Sequence, residues 1–159
     1  IKDRPIIDIR NGAKLIVEEN VTLNSRNRTY HVNMFAPVKI LAKISGAVVK
    51  IGANTRIHGS CIHAQNSIII GSNCLIAANC QIMDGSGHSL DPDNRLETTT
   101  EGTPTVIEDD VWLATGVIVL PGTTIRRGSV VSAGSVVSGT IEEYSLVAGN
   151  PAKIKRKLR

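Results

Sequence analysis

Aromatic side chains are nearly missing from this chain: one Trp, two Tyr and one Phe, 3% of 159 residues. Large rings fill much of a conventional globular core, so their scarcity excludes a thick, ring-packed interior. Long apolar runs are missing too. No stretch of about 18 apolar residues occurs, which excludes a membrane-spanning helix of ordinary length. Ile1 to Pro5 carry no apolar signal-peptide core. The three cysteines, Cys61, Cys74 and Cys80, are odd in number and show no pairing logic. That count and the missing pairing logic favour a reducing compartment and lead us to expect a cytoplasmic protein, with the cysteines as repeat corners rather than a disulfide set or a zinc knuckle. No basic stripe with interleaved aromatics exists, so nucleic acid is not an expected partner. The formal charge of +4 is uneven: Lys153, Lys155, Arg156, Lys157 and Arg159 crowd the last nine residues. Such a tail points to a local anionic partner.

What is present is a fixed short period. Ile107, Leu113, Val119, Ile125, Val131 and Val137 recur at a step of six. Neither an amphipathic helix nor an alternating strand predicts that step; a strict short repeat marks a stacked architecture. Three hexads make one triangular turn of 18 residues. Units beginning at Val17, Ile51, Ile70, Ile107 and Ile125 carry the pattern along the chain, spaced 34, 19, 37 and 18 apart. The long intervals place irregular loops at about 24–47 and 84–105, and loops on a rigid scaffold are where chemistry tends to sit. With units starting at Ile57, Ile70 and Ile76, the three cysteines fall in fifth place and read as small buried corner residues. Gly in second place, as at Gly52 and Gly71, suits a corner needing positive φ. Residues 141–159 should cap one all-β domain spanning 1–159, with a last strand and a short basic helix.

The hexads, the "VWLATGVIVLPGTTI" stretch, "VVSAGSVV" and "LVAGNPAKIKR" resemble the hexapeptide-repeat acetyltransferases, especially those that O-acetylate sugars such as galactosides, maltose and surface polysaccharides. The match is specific from about residue 70 to 156. The resemblance implies a left-handed parallel β-helix, a homotrimer with sites at subunit interfaces, acetyl-CoA as co-substrate and a sugar, nucleotide-sugar or oligosaccharide acceptor. The hand comes only from the resemblance, since it breaks the usual right-handed crossover rule.

His88 is the only histidine of the large loop and lies 24 residues before Trp112. An imidazole suits proton removal near neutral pH, and the resemblance assigns His88 as general base. It also implies the Thr115 amide as oxyanion donor, and coenzyme A contacts at Thr115, Ala133, Ser138, Gly139, Lys153 and Arg156. Cations at the tail suit phosphates, Arg as a fork and Lys as a point charge; Lys153 stands where galactoside acetyltransferases carry arginine. Asp84 and Asp91 are candidates to orient the imidazole, against the alternative of solvated loop carboxylates. Trp112, in sixth place, should point outward at a seam or site wall. The family's transition-state asparagine, one coil before the catalytic loop, has no counterpart in "IHGSCIH".

Three other functions remain open. An amino sugar would make the enzyme an N-acetyltransferase. His58 and His63 form H-x4-H, the spacing of two zinc ligands in β-helical carbonic anhydrases. That reading leaves "VWLATG" and His88 unexplained, and no metal is expected. A purely structural β-helix would have regular coils without two long loops.

Overall fold

The structure, a computed structural model, describes residues 1–159 and contains no α-helix. The chain winds through six coils of three strands. The first is β1 (Ile6–Ile9), β2 (Lys14–Val17) and β3 (Thr22–Asn24), and the second β4 (Lys39–Ala42), β5 (Val48–Ile51) and β6 (Arg56–His58). The third is β7 (Cys61–Ala64), β8 (Ser67–Ile70) and β9 (Leu75–Ile76). The fourth is β10 (Gln81–Met83), β11 (Thr105–Ile107) and β12 (Trp112–Leu113). The fifth is β13 (Ile118–Val119), β14 (Thr124–Ile125) and β15 (Val130–Val131). The sixth is β16 (Val136–Val137), β17 (Thr140–Ile141) and β18 (Ser145–Gly149), and β19 (Ala152–Lys157) ends the chain. Equivalent strands pair in parallel, giving three faces: a first from β1 to β16, a second from β2 to β17 and a third from β3 to β18. The architecture is the left-handed parallel β-helix.

The period of six is explained by what stacks inside. Ile51, Ile70, Ile107, Ile125 and Ile141 stand in register along the second face. Ile57, Ile76, Leu113, Val131 and Val147 do so on the third, and Ile40, Ile62, Ile82, Val119 and Val137 on the first. All are buried. Each such side chain is worth about 1.5–3 kcal/mol of burial, and the section they fill is too narrow for rings. At the first coil two of the three rungs lie open, Ile7 and Val17 being 45% and 44% exposed, while Leu23 on the third face stays buried.

Corners follow a rule that the sequence reading misplaced. The left-handed residue occupies fourth place, not second: Asn54, Asn73, Asn79, Asp110, Gly116, Gly122, Gly128 and Gly134 all have φ between 57° and 74°. Gly52 is glycine because of close approach instead, since a Cβ there would stand 2.5 Å from the Gly71 carbonyl carbon. Fifth-place residues are small, and most carry one side-chain donor that laces coils together, whereas Val111 and Val117 fill their corners by packing alone. Thr55 Oγ1 donates to the Gly71 carbonyl at 2.7 Å, and Cys80 Sγ to the Ala114 carbonyl at 3.2 Å. Cys74 and Cys80 hold such corners, but Cys61 does not. The unit beginning at Ile57 has only five residues, so Ser60 takes the buried corner, donating to the Ala77 carbonyl at 2.7 Å, and Cys61 turns outward on β7, half-buried.

The basic helix expected near the C-terminus does not form. β19 runs antiparallel to β18, with Lys153 opposite Ala148 and Arg156 opposite Leu146. The open edge of β18 offers the tail a full set of backbone partners, which a helix would leave unpaired. The two excursions occupy 25–38 and 84–104, so β4 lies inside the range expected to be loop. Charge is banded along the stack: residues 1–66 hold ten Lys/Arg against four Asp/Glu, 67–140 three against eight, and 141–159 five against two.

Candidate functional site

The second excursion leaves the corner between the first and second faces, and the coil beneath holds its base. Asp84 is fully buried, and its carboxylate accepts from the backbone N–H groups of Gln65 at 2.7 Å and Asn66 at 2.8 Å. The returning limb is held by the same pair: Gln65 Nε2 donates to the Thr99 carbonyl at 2.6 Å and Asn66 Nδ2 to the Gly102 carbonyl at 3.0 Å. The Thr99 N–H in turn donates to the Gly87 carbonyl at 3.1 Å, and His88 forms a backbone bridge to Thr98. Gly85 lies so close to Gln65 Oε1 that a Cβ would collide with it. His88 is therefore exposed but carried on a tethered hairpin, beside a cleft of about 510 Å³ walled by Ser86, Glu101, Thr103 and Pro121.

The candidate orienting carboxylates do other work. Asp84 is spent on the Gln65–Asn66 clamp rather than being a solvated loop carboxylate, and no bond joins it to His88. Asp91 caps the 3-10 turn Pro92–Asn94, accepting from Asp93 N at 3.1 Å and Asn94 Nδ2 at 3.0 Å. Gln65 and Asn66 went unnoticed in the sequence because they form the two-residue turn between β7 and β8, where the hexad register carries no signal. The signal lay in Asp84, about one coil further on.

Thr115 and Ala133 stack on a different corner, between the third and first faces, where Gly134 N donates to the Thr115 carbonyl at 2.9 Å. Their own N–H groups take no part in the coil-to-coil hydrogen bonding, which leaves them free as donors. Lys153 and Arg156 sit exposed on β19, and neither forms an ion pair. Ser138 and Gly139 turn the corner between β16 and β17, the one from which the His88 loop springs. The residues expected to contact coenzyme A thus divide between two corners, and His88 and Thr115 are separated by the first face. Trp112 faces outward from the third face, 46% exposed, between Leu75 and Val130.

The first excursion folds toward the Thr115 corner. Asn79 pins it, accepting from Phe35 N at 3.0 Å and donating to the Asn33 carbonyl at 2.8 Å. A cleft of about 440 Å³ opens beneath, between Phe35, Cys61, Gln81 and Gly116.

His58 and His63 lie on different faces, on β6 and β7. His58 Nδ1 meets the Asn24 amide at 3.1 Å, and its ring stacks on Tyr30 at 4.5 Å. Burial, reinforced by Arg56, Lys2 and His31, lowers its pKa to about 4, so the ring is neutral. No three His, Cys, Asp or Glu side chains of this chain gather where they could hold a metal ion. Burial raises the Cys61 thiol and pushes Cys74 and Cys80 to about 11.

Comparison with known proteins agrees with this geometry. Residues 104–139 match the bacterial transferase hexapeptide (six repeats) model, and residues 48–83 match the hexapeptide repeat of succinyl-transferase. The galactoside O-acetyltransferase of Lactococcus lactis is 37% identical over 91 residues, 57% of this chain and 44% of that protein. The chain spans about half the length of the curated relatives it matches. Among solved structures, the hexapeptide-repeat acetyltransferase VCA0836 of Vibrio cholerae, complexed with acetyl coenzyme A, is 39% identical with TM-score 0.65, covering 70% of this chain and 61% of that one. A galactoside acetyltransferase in complex with coenzyme A is 27% identical with TM-score 0.74, over 91% and 65%. A maltose O-acetyltransferase from Clostridium difficile is 30% identical with TM-score 0.63, over 77% of this chain and 67% of that one. No helix is long and apolar enough to cross a membrane. Coils, corners and relatives agree: the chain belongs to the hexapeptide-repeat acetyltransferases.

Proposed function

We propose that the protein transfers the acetyl group of acetyl-CoA to a hydroxyl of a sugar or polysaccharide, with His88 as general base. The observation that carries this reading is the tethered hairpin, which holds an exposed imidazole at the edge of a polar cleft. The co-substrate is supported by the relatives solved with acetyl coenzyme A and coenzyme A, and the acceptor class by the galactoside and maltose enzymes.

The His88 imidazole accepts the proton of the acceptor hydroxyl as its oxygen attacks the thioester carbonyl carbon. The tetrahedral oxyanion is met by a backbone donor, for which the free N–H of Thr115 is suited. Collapse breaks the carbon–sulfur bond, and the imidazolium returns its proton to the leaving thiolate. No acyl-enzyme is needed. Lys153 and Arg156 would meet coenzyme A phosphates.

One chain places His88 and Thr115 on different corners, so a complete site needs a second copy. We therefore propose a trimer in which the His88 loop of one subunit faces the Thr115 corner of the next. Light scattering should give about three times 17.0 kDa. His88→Ala should lower acetyl transfer about 10²–10⁴-fold without changing the fold or coenzyme A affinity; near-full turnover would remove His88 as the base. Mixing His88→Ala chains with Thr115→Trp chains should restore partial activity through hybrid seams, whereas a fully active monomer would refute the shared site.

A further inference from the structure

A second cleft, of about 520 Å³, lies on the same corner as the His88 cleft, one to two coils toward the N-terminus. Glu101 and Gly102 line both, so this segment forms a low wall between them. Each is within the size range of small-molecule sites. The mechanism uses only the first.

The chemistry of the second cleft is specific. Ser45, Asn66, Thr100 and Glu101 give it hydroxyls, an amide and one carboxylate, and no Lys or Arg lines it. Lys43, on the adjoining turn, is drawn away by Asp8, to which its Nζ pairs at 2.8 Å. Glu101 forms neither an ion pair nor a side-chain hydrogen bond and stands ready to accept from hydroxyls. Gln65 closes the cleft floor, with its side-chain oxygen buried against Gly85 and its Nε2 held by the Thr99 carbonyl. Gly46 leaves one wall as bare backbone, since a Cβ there would meet nothing within 4 Å. Half-buried Ile44 adds a small apolar surface on which a ring can rest.

We propose that this cleft is an acceptor subsite for the adjacent ring of a neutral oligosaccharide whose reacting ring occupies the His88 cleft. The proposal rests on the acetyl-transfer reading. A chain crossing the Glu101–Gly102 wall puts one ring in each cleft. The lone carboxylate disfavours an acidic ring, while the neutral donors and acceptors match sugar hydroxyls.

Backbone-amide NMR of the whole protein tests binding with maltotriose and lactose against trigalacturonate. The expected result is shifts at Ser45–Ala47, Asn66 and Thr100–Gly102 with at least one neutral oligosaccharide, and none there with the acid. Shifts confined to the His88 cleft, a stronger response to the acid or no response at all would overturn the subsite. Turnover gives the second arm. The kcat/KM of an oligosaccharide should exceed that of its monosaccharide by about tenfold, the scale of one or two net hydrogen bonds. Ser45→Trp, which fills the cleft from an exposed turn, should bring that ratio close to one. Equal turnover of both acceptors, abolished by His88→Ala, would overturn the subsite while sparing the acetyl-transfer reading. Oligosaccharide binding at Ser45 with turnover unaffected by His88→Ala would do the opposite.

Discussion

Replacing Asp84 by Asn tests the clamp beneath the His88 loop. The carboxylate is fully buried and accepts two backbone N–H groups at 2.7 and 2.8 Å. An amide keeps one acceptor oxygen and turns its NH₂ toward the other donor. One charge-assisted bond of about 1.5–3 kcal/mol is then lost, and a buried N–H is left unpaired at a further ~1–3 kcal/mol. The expected destabilisation is about 3–5 kcal/mol, which lowers Tm by roughly 10 °C for a chain of this length. Melting must be compared at one protein concentration, because association shifts Tm by mass action. Local opening is read separately by hydrogen exchange: the Gln65 and Asn66 amides should exchange about 10²-fold faster. Asp91→Asn, on the exposed tip, is the control and should cost under about 1 kcal/mol. An Asp84→Asn protein within about 1 kcal/mol of the parent, with both amides still protected, would refute the clamp.

Other expectations concern charge and corners. Lys153→Ala with Arg156→Ala should raise the apparent constant for acetyl-CoA, less so in high salt; a shift confined to the acceptor's constant would contradict the assignment. Thiol reagents should label Cys61 well before Cys74 and Cys80, whose pKa of about 11 leaves little thiolate near pH 8. Cys80→Phe should overpack its corner by about 1–3 kcal/mol or more, read by urea unfolding. His58 is neutral when folded down to about pH 4, whereas an unfolded imidazole takes a proton near 6.5. The unfolded chain therefore binds more protons between those values, and stability falls as pH drops from about 6.5 to 4. Discounted for a half-exposed ring, the loss is ~1–2 kcal/mol, and His58→Gln should flatten that part of the pH–stability curve.

The coils were legible because inward Ile, Leu and Val repeat with the geometry of the turn itself; Ile107 to Val137 mark them without exception. Corner chemistry was legible only in part. A five-residue unit looks like a six-residue one until Ser60 is seen holding the bond that Cys61 was expected to occupy. The tail was misread because a run of Lys and Arg is compatible with either a helix or an edge strand, and the open edge of β18 decided between them. His88 stood out as the loop's only imidazole. The clamp did not, because Asp84 meets Gln65 and Asn66 across a stack whose register a one-dimensional reading does not align closely enough.

The banding of charge bears on how such a stack avoids polymerising. The rungs of the first coil are part-open, and β1 and β2 present unpaired backbone edges below them, while Lys2 bridges the edge of β3. A flat, sticky end of that kind is a template on which copies could add strand to strand. Both termini of the stack are net positive and only its waist is net negative. Two copies of residues 1–159 approaching end to end, in either orientation, bring like charge together before any backbone pair can form, a repulsion that should weaken as salt is added.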